Sequence, residues 1–323
     1  MSILAVGSVA YDSIKTPSGN RDDALGGTVT YFSVAASYFA PVGMVAVVGD
    51  DFRPEDRAML EAHHIDTTGL ITARGDTFRW VAEYGDDLNE AHTLDTRLNV
   101  FDGFMPKLTS QDMRHPFLFL ANIDPDLQHY VLQQMDKRPT LVAGDTMNLW
   151  INTKPDSLER VIDSVDLLMI NQTEARLLTG EISVVKAARN LLARGPHTVV
   201  VKRGEYGALC FTPDAIFAAP AYPSETAVDP TGAGDSFAGG FLGYVAATGD
   251  LTIDGYRRAM IVGSVMASFT VESFGLDRLS TLTPADIRER YKEFWKLTYF
   301  DGSGERELPS YMPTEVEGRS TIR

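Results

Sequence analysis

Short apolar runs alternate along the chain with longer segments in which apolar residues recur at helical spacing. This alternation is typical of a parallel β-sheet that is covered by helices on both faces. The predicted strands are residues 3–6, 43–48, 117–121, 141–143, 167–170 and 198–202. The predicted helices are residues 28–39, 55–63, 125–135, 157–163, 184–194, 235–247, 256–271 and 284–297. The pattern therefore predicts an α/β fold with a mostly parallel central sheet.

Two polar regions interrupt the alternation, at residues 10–25 and 74–104. The second region contains two strand-like pieces, residues 77–84 and 93–100. Because these pieces are rich in β-branched and aromatic residues, the two regions are predicted to form a small β-structured lid that is inserted into the core.

The end of the chain has a different composition. Residues 301–323 are rich in Gly, Pro and Glu, which favours a poorly ordered tail. The predicted organisation is therefore one domain at residues 1–300, into which the lid is inserted, followed by this tail.

Charge and cysteine content exclude several classes of protein. The formal net charge of −15 argues against a nucleic-acid surface and favours a soluble cytoplasmic protein. Phosphates would then need local positive dipoles or Mg²⁺ in order to bind. The single cysteine, Cys210, excludes an intramolecular disulfide and a Cys-based metal site. No apolar stretch approaches ~20 residues without a charge, so no membrane span is predicted.

The stretch V-D-P-T-G-A-G-D-S-F-A-G-G-F, at residues 228–241, is the most informative part of the chain. Small residues at 231–234 let the backbone approach a ligand closely, and the N-terminus of the following helix offers unpaired N–H groups to an anion. The amides of Ala233, Gly234 and Asp235 can therefore form a pocket for a transferring phosphoryl group. A carboxylate beside such a pocket suits a proton acceptor for an attacking hydroxyl, so the local pattern indicates a small-molecule kinase.

The same stretch also has a purely structural interpretation. Asp after Gly is a common helix cap, and Thr-Gly-Ala-Gly can be an ordinary tight turn. The sequence contains no G-x-x-x-x-G-K-[ST], and Phe237 stands where the third Gly of G-x-G-x-x-G belongs. The local pattern by itself leaves both interpretations open.

Three further segments accompany this stretch. G-S-V-A-Y-D at residues 7–12 follows an apolar strand, and Gly26-Gly27 opens a helix shortly afterwards. The sequence also reads N-Q-T-E at 171–174 and K-R-G-E-Y-G at 202–207. Together with D-P-T-G-A-G-D, these segments resemble the PfkB family of ribokinase-like carbohydrate kinases over nearly the whole chain. The resemblance implies a three-layer α/β/α sandwich with a small β lid, and transfer of the γ-phosphoryl group of ATP to an alcohol.

The resemblance also assigns chemical roles. Asp235 is the general base, and the backbone amides of Gly232, Ala233 and Gly234 form the anion hole next to it. Asp229 is expected to order the phosphate loop or its ions, although an Asp before Pro also initiates ordinary turns. The residues assigned to the nucleotide side are Lys202, Gly204, Gly207, Asp229, Thr231 and Gly275.

Asn171 and Glu174 are the predicted magnesium residues. Three positions apart at the end of a strand, they face the same way on the first turn of a helix. Mg²⁺ prefers oxygen ligands and keeps several waters, so the pair can hold the ion through water, as the resemblance implies. The alternative is a capping box, with Asn as N-cap and Glu at the third helical position.

The acceptor side is assigned to Asp12 and the pair Gly26-Gly27. The carboxylate of Asp12 can accept hydrogen bonds from sugar hydroxyls, and the glycines can act as a hinge and expose backbone amides. The segment that follows, T-V-T-Y-F at residues 28–32, departs from ribokinases, which carry a Lys and an Asn there that grip the sugar. Ribose itself is therefore not favoured as the acceptor.

The resulting prediction is an Mg-ATP-dependent kinase of a sugar or sugar derivative, with a nucleoside kinase as the alternative. Phe78, Trp80 and Tyr84 alternate along a predicted lid strand, where they either stack on the acceptor or pack the lid. A non-catalytic ligand-binding protein is a third interpretation, against which the intact Asp235, Asn171 and Glu174 argue. The resemblance further suggests a potassium ion beside the phosphate loop and a homodimer joined through the lids. Neither a nucleic acid nor a membrane is expected as a partner.

Overall fold

The central sheet has nine strands within residues 1–299, the part of the chain that this computed structural model describes. Seven neighbouring strands run parallel, and two antiparallel strands extend one edge. From that edge, the order is β13 (Ile216–Ala219), β12 (Ala208–Phe211), β11 (Thr198–Lys202), β10 (Leu167–Asn171), β9 (Leu141–Gly144), β8 (Phe117–Leu120), β1 (Ile3–Val6), β4 (Val42–Val48) and β5 (Ile65–Thr72).

Helices cover both faces because successive strand residues point to opposite sides. In β1, Ile3 and Ala5 join the hydrophobic core on one face, whereas Leu4 and Val6 join the core on the other. The first face is covered by α1 (Thr28–Ser37), α2 (Pro54–Ala62), α8 (Ala233–Thr248), α9 (Ile253–Thr270) and α10 (Pro284–Thr298). The second face is covered by α3 (Pro125–Gln134), α4 (Asn148–Thr153), α5 (Pro155–Ser164), α6 (Gln172–Thr179) and α7 (Val184–Leu192).

The two polar regions form a separate four-stranded sheet, called the small sheet below. Its strands, in spatial order, are β3 (Gly19–Gly26), β2 (Ala10–Thr16), β6 (Phe78–Tyr84) and β7 (Ala91–Arg97). The two middle strands, β2 and β6, pair in parallel although a long stretch of chain separates them. The strand predicted at 93–100 is wrong at its end, because β7 stops at Arg97 and a short 3-10 turn follows at Asn99–Phe101.

The predicted α/β class, parallel sheet and small β-sheet are confirmed. Each predicted core element is present, with its ends within three residues of the observed ones. The edge strand β5 was not predicted because it mixes polar and apolar residues, and the four-residue apolar run of β13 at the other edge was missed. The division into a domain at 1–300 and a tail stays a prediction, and the tail at 301–323 lies outside the described residues. Among residues 1–299, no helix combines the length and apolar character that crossing a bilayer requires.

Candidate active site

Polar side chains gather where parallel strands of the central sheet end, which is where α/β proteins bind ligands. Asp145 follows β9, Asn171 ends β10 and Lys202 ends β11. Nζ of Lys202 donates a hydrogen bond to Oδ2 of Asp145 at 3.0 Å, and these side chains are only 15% and 6% exposed. Charged groups that are buried to this extent are normally paired, as these two are. The ion pair lies at the ends of the strands, at the bottom of a cleft, and this position is called the floor below.

The N-terminus of α8 forms the wall of this cleft. Gly232 precedes the helix with φ +75°, in the left-handed region, and a Cβ atom there would collide with the ring of Tyr31 on α1. Only glycine fits such a position without strain. The sequence therefore needs Gly232 both for its backbone conformation and for close packing against α1.

The amides of this turn differ in what they already bind. The N–H of Ala233 donates to the carbonyl of Pro230 at 3.1 Å, so it is engaged within the turn. Among residues 1–299, the N–H groups of Gly232, Gly234 and Asp235 have no hydrogen-bond acceptor. These three amides, rather than that of Ala233, are the donors that the helix terminus offers to an anion.

Asp235 lies on the first turn of α8 and is half-buried. Burial raises the pKa of its carboxyl to about 8; Lys202 opposes this rise, whereas Asp145 and Asp12 add to it. In the free cleft a carboxyl group of this pKa is mostly protonated at neutral pH, and once ionised it binds a proton more tightly than an exposed aspartate does.

Lys202 bridges the floor and the wall. Its ammonium group packs against Gly234 as well as pairing with Asp145. Burial alone would lower the pKa of Lys202, but the carboxylates of Asp145, Asp235 and Glu174 raise it, so the side chain stays charged. Although it ends a strand, Lys202 is therefore a buried and paired residue of the cleft.

Asn171 and Glu174 form the capping box that was the alternative to a magnesium site. Oδ1 of Asn171 accepts from the N–H of Glu174 at 2.8 Å, and Oε2 of Glu174 accepts from the N–H of Asn171 at 2.7 Å. Burial, followed by the charge of Asp145, raises the pKa of Glu174 to about 8, although Lys202 opposes the rise. The capping box uses only one carboxylate oxygen, so Oε1 of Glu174 is left for another partner.

The cleft fits a magnesium ion that is held mostly by water and phosphate. Residues 1–299 contain no group of three or more His, Cys, Asp or Glu side chains that could hold a metal ion by themselves. Three carboxyl groups nevertheless surround a single ammonium group, those of Asp145, Glu174 and Asp235 around Lys202. A divalent cation would stabilise the ionised forms of these carboxyl groups, and Mg²⁺ is usually bound through one or two carboxylates plus waters and phosphates.

Asp229 braces the turn at residues 230–235, which is called the phosphate turn below because the sequence predicts that it binds phosphate. Its Oδ1 accepts from the N–H of Thr231 at 2.9 Å, and its Oδ2 accepts from the N–H of Gly275 at 3.3 Å. Burial raises the pKa of Asp229, whereas these two hydrogen bonds oppose the rise. The carboxylate therefore connects the turn to the loop after α9. This contact agrees both with an Asp that initiates a turn and with an Asp that orders the phosphate loop.

The predicted acceptor residues lie together on the small sheet. Asp12, on β2, is 4% exposed, and Gly26 is held so close that a Cβ atom there would collide with the carboxylate of Asp12. Gly27 has φ +90°, and a Cβ atom there would collide with the carbonyl of Ser8. Burial, followed by the charge of Asp229, raises the pKa of Asp12 to about 7. Both glycines are thus required by the close approach of β2, β3 and α1.

The β6–β7 hairpin of the small sheet reaches the central domain at two points. Tyr84 and Thr231 are hydrogen-bonded through their hydroxyl groups at 3.2 Å, beside the phosphate turn. Asn89 accepts a hydrogen bond from the N–H of Glu205 at 3.3 Å, next to Gly204. The small sheet therefore spans the cleft from the acceptor side to the predicted nucleotide side.

The aromatic residues of β6 have different surroundings. Phe78 stacks on Phe101 with ring centroids 5.6 Å apart, so it packs the small sheet. Trp80 is the register partner of Asp12, and its Nε1 donates to Thr93 at 3.2 Å. Because register partners lie on the same face of a sheet, Trp80 shares a face with Asp12, the residue that is predicted to bind the acceptor, while its indole reaches towards β7.

The nucleotide-side glycines form a tight turn after β11. Gly204 and Gly207 have φ +56° and +81°, and the carbonyl of Gly207 accepts from the N–H of Arg203 at 2.8 Å. A Cβ atom on Gly207 would collide with the carbonyl of Ala219 on β13. The turn therefore depends on glycine, as its pattern predicted.

Two side chains of the cleft were not among the predicted site residues. Asp145 follows the strand predicted at 141–143, and it pairs with Lys202. Tyr31 was noted only as part of the departure from ribokinases, yet its ring contacts Gly232. The position of Asp145 after a strand places it where α/β proteins bind ligands, but its ion pair has no signal in the sequence, and the place of Tyr31 depends on how α1 packs against α8.

Comparison with known proteins decides the family. The family model described as pfkB family carbohydrate kinase matches residues 3–282. The chain belongs to this family. A cytidine kinase of Thermococcus kodakarensis is 30% identical over 248 residues, which cover 75% of this chain and 87% of the relative.

Solved structures share the fold. The nucleoside kinase of Methanocaldococcus jannaschii, an archaeal member of the ribokinase family, superposes with a TM-score of 0.72 at 22% identity, covering 90% of this chain and 98% of that one. A putative ribokinase II from E. coli in complex with ATP and Mg²⁺ superposes with a TM-score of 0.74 at 18% identity, covering 90% and 99%. The ribokinase-like fold is thereby confirmed, and this pfkB-family protein is a phosphotransferase that acts on a hydroxyl group of a small molecule.

Proposed function

We propose that this pfkB-family protein is an Mg-ATP-dependent nucleoside kinase with Asp235 as its general base. The observation that carries the proposal is the first turn of α8, where the carboxyl group of Asp235 adjoins backbone amides that have no acceptor among residues 1–299. A proton acceptor and an anion site on one helical turn are what transfer of a phosphoryl group to an alcohol requires.

Several groups of the cleft have a part in this reaction. Asp12 binds and orients a hydroxyl group of the acceptor, and Asp235 takes the proton of the attacking hydroxyl. The free amides of the phosphate turn and the charge of Lys202 stabilise the negative charge that develops on the phosphoryl group. When bound, Mg²⁺ neutralises phosphate charge, and Asn171 and Glu174 would hold it through water. The small sheet excludes water from the cleft.

Two observations favour a nucleoside over a free sugar. A relative that matches 75% of this chain is a cytidine kinase. Trp80 stands in register with Asp12, where an indole offers a flat apolar surface to a base. A nucleoside kinase, the alternative in the sequence analysis, is therefore preferred to the kinase of a sugar or sugar derivative that was predicted first.

A sugar kinase is the second candidate, and the family description supports it. Asp12 with Gly26 and Gly27 recognises hydroxyl groups, which sugars and nucleosides share. The ATP and Mg²⁺ bound by the E. coli relative support Mg-ATP as the donor in either case. A potassium requirement, a homodimer through the small sheet and a cytoplasmic location stay predictions.

The test is ADP release, coupled to a reporter reaction, with Mg-ATP and a panel of acceptors. The panel contains ribonucleosides, cytidine among them, and free sugars such as ribose, fructose and inositol. The proposal predicts that at least one nucleoside has a higher kcat/KM than every sugar. Turnover of sugars alone would establish the second candidate. No turnover in a protein that still binds ATP would contradict the kinase assignment of the site.

A further inference from the structure

The hydroxyl group of Tyr31 is a buried polar group that the proposed mechanism does not use. Tyr31 lies in the first turns of α1 and is 1% exposed. Its Oη has no hydrogen-bond partner among residues 1–299. A buried hydroxyl without a partner destabilises a fold, so such a group in a functional cleft calls for an explanation in terms of a ligand.

The surroundings of this phenol place it between the two ends of the cleft. Its ring packs against Gly232 of the phosphate turn, while the backbone of α1 follows directly after Gly27 of the acceptor side. The carboxyl groups of Asp12, Asp229 and Asp235 all lie near enough to act on its charge.

These neighbours fix the chemical state of the phenol. Burial, followed by the charges of Asp12, Asp229 and Asp235, raises the pKa of Tyr31 well above its usual range. The group is therefore a neutral hydroxyl, which can donate one hydrogen bond at any pH at which the protein works. None of the three carboxyl groups receives that bond, although all of them are acceptors when ionised.

Asp12 and Tyr31 have complementary hydrogen-bonding groups. A carboxylate only accepts hydrogen bonds, whereas the Tyr31 hydroxyl has a donor to give. A hydroxyl group of a bound acceptor can donate to Asp12 and accept from Tyr31 at the same time. The pair thus suits an acceptor that carries a second hydroxyl group, in addition to the one that is phosphorylated.

We propose that Tyr31 donates a hydrogen bond to the acceptor hydroxyl that is bound by Asp12, and that it thereby selects acceptors with a hydroxyl at that position over their deoxy analogues. This inference rests on the proposed function, because it places the acceptor at Asp12.

The test is Tyr31→Phe, which keeps the buried ring and removes only the hydroxyl. We measure kcat/KM for the best nucleoside of the panel and for its 2′-deoxy and 3′-deoxy analogues. The variant should lose about tenfold in kcat/KM for the hydroxylated acceptor, as expected for one neutral hydrogen bond, while one deoxy analogue is unaffected and the KM for ATP is unchanged. Since the hydroxyl has no partner in the free protein, Tyr31→Phe should not lower the Tm.

Tyr38→Phe is the matched control. Tyr38 directly follows α1, and its hydroxyl donates to the carbonyl of Leu279 at 2.8 Å. Removal of this satisfied hydroxyl should lower the Tm and leave discrimination between the acceptors unchanged. If Tyr31→Phe behaves in the same way, its hydroxyl is structural and the inference is overturned.

Failure of the proposed function gives a different result. If the wild type phosphorylates no nucleoside, the proposed function fails whatever Tyr31 does. Titration calorimetry then tests the inference without turnover. A nucleoside that binds Tyr31→Phe about tenfold more weakly than the wild type supports it. Equal affinities, or no nucleoside binding at all, overturn it.

Discussion

At the scale of single residues, the cleft is dominated by buried carboxyl groups. Burial raises the pKa of Asp12 to about 7 and the pKa values of Glu174 and Asp235 to about 8. Each of them binds its proton more tightly in the folded protein than in the unfolded chain. Their contribution to stability is therefore present at low pH and is lost as the pH rises from about 4, the unfolded value, through the folded pKa.

The pH dependence of this stability can be tested with Asp235→Asn in the absence of ligands. Asparagine cannot ionise, so the variant does not lose the stability that the wild type loses when Asp235 ionises in the cleft. The free energy of unfolding of the variant, relative to the wild type, should increase between pH 6 and pH 9. Urea unfolding of both proteins measures this difference. His63 and His115, whose pKa values burial lowers, act equally in both proteins and cancel. A constant difference would contradict the raised pKa.

Asp12 gives a second prediction at this scale. Asp12→Ala should raise the KM for the acceptor by about 10- to 100-fold, the usual effect of losing a hydrogen bond to a charged group. The KM for ATP should change far less, because Asp12 lies on the small sheet and the predicted nucleotide residues lie on the central domain. Steady-state kinetics with each substrate varied separately measures both constants. The reverse pattern would show that the two ends of the cleft have been exchanged.

At the scale of secondary structure, the start of α8 positions the chemistry. Gly232→Ala should lower kcat, because a methyl group would push the phosphate turn away from Tyr31. Gly180→Ala is its matched control: Gly180 ends α6 with φ +70°, but open space surrounds its Cβ position. Both variants bear the backbone cost of a non-glycine residue at positive φ, about 1 kcal/mol.

The difference between Gly232→Ala and Gly180→Ala therefore measures the effect of the collision with Tyr31. Chemical denaturation should show a greater loss of stability for Gly232→Ala than for Gly180→Ala, and only the former should lose activity. Equal losses of stability and equal activities would show that the packing of α1 against the turn is unimportant.

The same scale shows what the sequence can predict. The strands of the parallel core were predicted because they are apolar throughout, and the glycine turns at 204–207 and 232 because special backbone conformations leave a residue signature. The edge strand β5 was missed because it mixes polar and apolar residues, and the short apolar run of β13 was missed as well. Neither the buried state of Lys202 nor the engaged amide of Ala233 has a local signal. Both depend on contacts between segments that lie far apart in the chain.

At the scale of the whole molecule, the small sheet and the central domain enclose the cleft between them. The sequence indicated two polar insertions but not their pairing, since β2 and β6 lie in separate regions of the chain. Register between these strands is what brings Trp80 beside Asp12. The place of the predicted base-stacking surface therefore follows from the assembly of the sheet, and no single segment encodes it.

Trp80→Leu tests this arrangement. Loss of base stacking, worth ~1–3 kcal/mol, should raise the KM for a nucleoside by about 10- to 100-fold. The KM for a free sugar, if one is phosphorylated, should not change in parallel. Phe78→Leu is the control, because Phe78 lies on the same face of β6 but stacks on Phe101 within the protein. If both variants have the same kinetic effect, Trp80 only packs the small sheet.

The proposed reaction depends on the proton acceptor at the start of α8. The most direct measurement is the rate at which Asp235→Asn transfers the γ-phosphoryl group of ATP to the best acceptor of the panel, together with its affinity for ATP. We predict that kcat falls by about 10² or more while ATP binding stays near that of the wild type, because a general base contributes to the reaction and little to nucleotide binding. Turnover near that of the wild type would remove Asp235 from this role and contradict the account.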